Sequence, residues 1–315
     1  MKVKMIYPPA VGKINGNMVT TQRCAQILQN LGYEVSMETE FTDSESDIIL
    51  ALHAYKSYPV IKKTKIEHPD KRIIVMLTGT DIYSESLATF ETQESLQIAD
   101  KIVVLQNEAL SLIPNEYKKK THVIFQSVEQ PDFSKNLSKD FFDICLIGNL
   151  RQIKDPFILP EALHGLPKFS KIRVHHIGGA LEKSMAERAR DFMKSSDRYI
   201  WHGELDYQEC QKILNNSHLM VLSSIAEGGA NVISEAITLG VPVVCSEISC
   251  TIGLLGENYP GFFEVGNVKE LRNMISKAET QENFLRSLSR WGQNLKERFS
   301  VDTEINSWKE LLKFS

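Results

Sequence analysis

The feature that most constrains this chain is an alternation: short, almost uninterrupted apolar runs take turns with longer stretches of helical spacing along its whole length. Strands are predicted at 3–7, 34–37, 47–52, 72–77, 101–105 and 122–125, with helices at 18–31, 57–68, 84–98 and 108–113 between them. A strand that is apolar on both faces must be covered on both faces, which a parallel sheet flanked by helices provides. After a polar stretch at 132–140 (DFSKNLSKD), which has no periodicity and reads as a linker, the alternation restarts. Strands are then expected at 144–148, 172–177, 199–202, 218–222 and 241–246, and amphipathic helix over 268–314, with Trp291 and Trp308 as packing residues. At 315 residues the chain exceeds a single hydrophobic core. Two Rossmann-like α/β domains follow.

Composition narrows the partners. A formal charge of −4 and an isoelectric point near 6.1 give no electrostatic footprint for nucleic acid, and a small anionic substrate is expected instead. The N-terminal MKVKMIYPPA has strand character before two prolines in place of the apolar core of a signal peptide, and no run reaches the roughly 18 residues that cross a bilayer. A cytoplasmic location away from membranes is the expectation, while oligomeric state has no sequence signal. The five cysteines (Cys24, Cys145, Cys210, Cys245 and Cys250) are scattered, without a CxxC pair, and read as small buried hydrophobes, not as a disulfide framework or a zinc site.

The chemistry concentrates in 221–246, VLSSIAEGGANVISEAITLGVPVVCS, which reads as strand, glycine loop, helix and strand. Gly240 ends the helix and Pro242 prevents its resumption. The backbone N–H groups of Gly228, Gly229 and Ala230 lie at a helix start, a place that favours an anion. Glu227 in the loop, and Glu235 on the helix one turn beyond Asn231, are hydroxyl acceptors beside it, so a sugar or ribose joined to phosphate is indicated. The plain alternative is Glu227 as a helix cap and Glu235 as a solvated charge.

Ligands of doubly wound sheets sit beyond the carboxyl ends of the strands. There the chain offers Gly16 and Asn17 in GKINGN, His53 in LALHA, and Thr78, Gly79, Thr80 and Asp81 in TGTDIY. Arg151 and Lys154 in GNLRQIKDP are cations suited to a diphosphate. Simpler roles stand beside these: Asp81 as the cap of the next helix, His53 as a hydrogen-bonded core residue, and Arg23 and 118–120 as surface charge. His175 and His176 point to opposite faces of one strand and cannot share a metal, so no metal and no cofactor are expected. The glycine turn at 12–17 lacks GxxxxGK[ST] and is not a triphosphate loop.

The Glu227-x7-Glu235 spacing, with EAITLGVPVV and GNLRQIKDP, resembles the retaining GT-B glycosyltransferases that use nucleotide sugars. The segments LALHAYKS, VMLTGTDIY, DKIVVLQ, VIFQS, HIGGALE, EGGANVISEA and LLGENYPGFFEVG together resemble more narrowly the selenosugar synthases of selenoneine biosynthesis, with ISCT at 248–251 as a departure. The resemblance implies an N-terminal acceptor domain at 1–133, a UDP-sugar donor domain at 134–300, and a last helix at 301–315 returning to the first. It implies that Glu227 accepts from the donor sugar hydroxyls, Glu235 from the ribose, and that Arg151 and Lys154 hold the diphosphate. It also implies that selenium of selenophosphate attacks C1 of UDP-N-acetylglucosamine or a related UDP-sugar, releasing UDP, with the phosphate lost later. A conventional hexosyltransferase acting on an oxygen acceptor, and a nucleotide-sugar binding protein without catalysis, are the rival readings.

Overall fold

A computed structural model describes residues 1–9, 16–40 and 45–313. The first elements are β1 (Lys2–Ile6), α1 (Gly16–Asn30), β2 (Glu34–Glu38), β3 (Ile48–Leu52), α2 (Ala54–Glu67), β4 (Arg72–Met76), α3 (Ser84–Leu87), α4 (Phe90–Ile98), β5 (Lys101–Val104), α5 (Ala109–Leu112) and β6 (Thr121–Val123). Then come β7 (Phe142–Ile147), α6 (Ile158–Leu163), β8 (Ile172–Ile177), α7 (Lys183–Ser195), β9 (Tyr199–Gly203), α8 (Tyr207–Asn215), β10 (Leu219–Leu222), α9 (Asn231–Thr238), β11 (Val243–Ser246), α10 (Ser249–Leu255), β12 (Phe262–Phe263), α11 (Val268–Thr280), α12 (Glu282–Leu295) and α13 (Val301–Leu311).

The chain forms two compact units. One comprises Met1–Ser127, Glu227–Gly229 and Val301–Ser315, the other Val128–Ala226 and Ala230–Ser300. Each holds a six-stranded sheet, in the orders β2-β1-β3-β4-β5-β6 and β12-β11-β10-β7-β8-β9, and every recorded strand pair is parallel.

In the first unit, alternate residues of one strand feed opposite cores. Leu50 and Leu52 of β3 join Val3, Met5, Cys24, Leu28 and Trp308 on one face, whereas Ile49 and Ala51 join Ile61, Val75 and Leu96 on the other. That double burial is the physical reason the strands read as uninterrupted apolar runs. Trp308 is fully buried, so α13 completes one layer of this unit. Inside the sheet, Lys4 is also buried, and its ammonium lies 3.2 Å from Glu38.

Departures from the sequence reading have local causes. The single helix expected at 84–98 is two, because Thr89 takes an extended conformation and its hydroxyl accepts the N–H of Thr92, which starts α4 afresh. The stretch at 132–140 is no free linker: Asn136 N–H donates to Asn216, and Asn215 and Lys135 donate to the carbonyls of Ser134 and Gly240, fastening it to the second unit. The two-residue β12 was not expected, being too short for a pattern of its own. The ISCT departure forms the start of α10, where the Thr251 hydroxyl donates to the Ser246 carbonyl and accepts the N–H of Ile248. Among the described residues, no helix is long and apolar enough to cross a membrane.

Candidate active site

In the second unit the chain reverses its direction of winding between β7 and β10, which lie side by side, and the loops after these two strands carry the expected donor residues. The loops are tied to each other. Ser223 Oγ donates to the Lys154 carbonyl at 2.9 Å, and Ile225 N–H to the Ile153 carbonyl at 2.9 Å. Arg151 is exposed at the start of a single 3-10 turn, and Lys154, half-buried at its end, runs along Gly148. Together with Gly148, His176, Leu222, Ser223 and Ser224, Lys154 lines a small hollow at the carboxyl ends of the strands. Here Gly178 is obligatory: its φ is +154°, and a Cβ would meet the Gly148 carbonyl oxygen at 2.0 Å.

Helix α9 starts beside these loops in sequence and without a side-chain cap. Ala230 before it is left-handed (φ 34°, ψ 61°), a conformation uncommon outside glycine. Ala230 at the cap position offers the first-turn amides of α9 no side-chain acceptor, which favours an anion there. Asn231 is half-buried, and its Oδ1 has no hydrogen-bond partner. Glu235 is only 7% exposed, so the alternative of a solvated charge does not hold.

The first unit changes winding direction between β1 and β3, and His53 follows β3 directly. Its backbone is strained (φ 70°, ψ 91°), its side chain is buried, and Nδ1 accepts the N–H of Lys56 at 3.4 Å as the cap of α2. Asp81 holds this corner. It is fully buried; Oδ2 accepts the N–H of Ala54 at 2.9 Å, Oδ1 accepts that of Gly79 at 2.8 Å, and Oδ2 lies 3.8 Å from His53 Nδ1. Asp81 thus supports the start of α2, not the helix that follows it. With each oxygen taking a backbone N–H, Asp81 shapes the corner. Burial holds the His53 pKa below its ordinary value, against the opposing pull of Asp81.

Thr78 is half-buried, and its hydroxyl has no partner. Thr80 begins the 3-10 turn Thr80–Ile82. Gly16, exposed, and Asn17, half-buried, open α1, while residues 12–15 of the GKINGN turn lie outside the described residues. Glu227, Gly228 and Gly229 pack with this unit. The Glu227 N–H donates to the Tyr83 hydroxyl at 2.6 Å, and a Cβ on Gly228 would meet the Thr78 carbonyl oxygen at 2.3 Å. Backbone at Glu227 is thereby anchored.

Other polar groups escaped the sequence reading. Arg23 is no surface charge: its guanidinium donates to Glu304 and Gln126, while Glu304, 2% exposed, also accepts the Ser127 N–H at 2.6 Å. Helical spacing places Glu304 one turn before Trp308 on the buried face of α13, but says nothing of its partners. His175 and His176 do face opposite ways. The first bonds to Asp143 and His202, and the second lies between the Tyr199 hydroxyl and the Gly148 carbonyl. Burial pushes His176 down to about 4, so the imidazole beneath the hollow is neutral at physiological pH. Among the described residues, no group of three His, Cys, Asp or Glu side chains could hold a metal. Cys24, Cys145, Cys245 and Cys250 are buried, and burial raises the Cys24 thiol to about 12.

Two six-stranded parallel sheets, each with one reversal of winding, define a GT-B architecture. HepE from Anabaena, solved in complex with UDP, is similar at a TM-score of 0.77 and 17% identity, covering 99% of both chains. Sucrose-phosphate synthase from Thermosynechococcus elongatus gives 0.78 at 14% identity over 98% of both. A glycosyltransferase from Rickettsia africae gives 0.77 at 16%, covering 100% of this chain and 99% of the other. The chain belongs to the glycosyl transferases group 1, a family matched over residues 127–298.

Proposed function

We propose that this glycosyltransferase takes its sugar from a UDP-sugar and transfers it to selenophosphate, making a selenosugar phosphate. The observation that carries the donor half is the pair of tied loops at the β7–β10 junction, which present Arg151 and Lys154 where a diphosphate would need charge. Glu235 would accept from the ribose hydroxyls, Asn231 and the amides around Ala230 would meet phosphate, and Glu227 would accept from the sugar. Similar folds solved with UDP and with UDP-glucose support a uridine donor. Support for selenophosphate comes from the sequence resemblance along the chain.

Selenophosphate is a soft nucleophile that is already anionic, so it requires placement more than deprotonation. The electron pair of selenium forms the bond to C1 as the C1–O bond to UDP breaks, and UDP leaves with the pair of the C1–O bond. Hydrolysis then removes phosphate from selenium. In the first unit, the unpartnered Thr78 hydroxyl and the Gly16 amide would be the donors for the acceptor's phosphate, with Asn17 and Thr80 beside them in sequence, while the Gly79 amide is taken by Asp81. His53 would orient the nucleophile or the sugar, with Asp81 acting through it.

The test is incubation of the protein with selenophosphate and UDP-N-acetylglucosamine, following UDP by chromatography and selenium by mass spectrometry. Selenium-dependent UDP release is expected. Turnover with sugar acceptors and indifference to selenophosphate would replace the reading with conventional oxygen glycosylation.

A further inference from the structure

Buried polar atoms almost always find a hydrogen-bond partner, so a group of them without protein partners marks a place where something else is bound. In the second unit such atoms fall on two helices in contact, α8 and α9. Ser234 Oγ and Thr238 Oγ1 on α9, and both amide atoms of Gln211 on the adjacent α8, are buried without a partner. Ser234, Thr238 and Gln211 are 0%, 5% and 2% exposed. Asn231, Ser234 and Thr238 follow helical spacing (i, i+3, i+7) and therefore share a side of α9, with Glu235 one position round from Ser234. Glu235 lies toward this seam. Burial raises the Cys210 thiol on α8 to about 11, and the charge of Glu235 is the next contributor.

Apolar side chains would fit a packed helix seam better, and a stability-driven sequence would place them there. We propose that Gln211, Ser234 and Thr238 form a water-bridged polar seam between α8 and α9 that positions Glu235 for the nucleoside part of the donor. Water is the partner of matching chemistry, because hydroxyls and a carboxamide donate and accept in equal measure and carry no charge for an ion. Gln211 offers two donors and an acceptor, enough to bridge α8 to both hydroxyls of α9. The side chains act on the substrate only through Glu235 and are positioning residues. The inference rests on the reading of Glu235 as a ligand of the donor.

The experiment replaces each group singly by an apolar one, as Ser234→Ala, Thr238→Val and Gln211→Leu. UDP affinity is measured by calorimetry, melting temperature by circular dichroism, and KM and kcat with the UDP-sugar. Each variant is expected to melt at or above the wild-type temperature while UDP affinity falls about tenfold and KM rises, with kcat within about twofold. Thr238→Ser, which retains the hydroxyl, is expected to keep wild-type affinity. A seam that only packs the helices would move the melting temperature and leave KM alone. Unchanged UDP affinity in the apolar variants, together with weakened affinity in Glu235→Gln, overturns the seam and leaves the donor reading standing. Unchanged affinity in Glu235→Gln overturns the donor reading and the seam with it. Ser234→Ala, which removes a single oxygen, decides the matter if the bulkier replacements do not fold.

Discussion

Asp81→Asn is the most informative single substitution in the first unit, because it preserves shape and removes only charge and one acceptor. Both carboxylate oxygens take a backbone N–H, from Ala54 at 2.9 Å and Gly79 at 2.8 Å. Asparagine keeps one oxygen and turns an NH2 group toward the other N–H. The loss is one charge-assisted bond of about 1.5–3 kcal/mol and a buried donor left unpaired at about 1–3 kcal/mol. Because these overlap, the expected destabilisation is about 3 kcal/mol, which lowers the melting temperature of a body of this size by roughly 10 °C.

His53 would respond as well, since it loses the neighbouring charge that draws its pKa upward, and its strained backbone loses the carboxylate that fixes the start of α2. Turnover should fall, but UDP affinity measured by calorimetry should not, because Arg151, Lys154 and Glu235 belong to the other unit. Melting within about 2 °C of wild type would refute the account of Asp81 as the support of this corner. Weakened UDP binding would refute the division of labour.

Lys154→Ala should reduce kcat/KM for the UDP-sugar by about 2–4 kcal/mol in transition-state terms, read from steady-state kinetics; an unchanged value would remove Lys154 from the diphosphate site. His176 binds fewer protons folded than unfolded, so stability should rise with pH between about 4 and 6.5 and be complete above 6.5. Its share is about 3 kcal/mol, and urea melts of His176→Gln should lack that part of the slope. Glu304→Gln removes the charge that Arg23 and the Ser127 N–H share, and should destabilise the first unit by about 3–5 kcal/mol in a denaturant titration.

The architecture was legible because its cause is local: strands buried on both faces leave runs such as IILAL and RIIVM that no other arrangement covers as well. The places of Arg151 and Lys154 in the loop after a strand, and of Asn231 and Glu235 on the helix after another, were legible for the same reason, since the alternation itself marks where strands end and helices begin. Partners were not. Asp81 reads the same in sequence whether it caps its own helix or one that starts 27 residues earlier in the chain, and only the sheet brings Ala54 to it. Likewise, Arg23 and Glu304 stand 281 residues apart, and neither helix signals the other. Ser234 and Thr238 look like ordinary helix residues until the packing of α8 shows that they are enclosed.

The placement of α13 carries a consequence for synthesis. Trp308 fills the first unit's core, Lys101 bonds to the Leu311 carbonyl, and Glu304 takes the Ser127 N–H, yet Glu304, Trp308 and Leu311 are translated only after the second unit. A nascent chain that has already emerged through β6 still lacks a layer of its first sheet, and must wait for the whole of the second unit to be translated before that apolar surface is sealed. Premature termination anywhere after 127 would leave an open sheet face, making the N-terminal half the one that chaperones and proteases meet first.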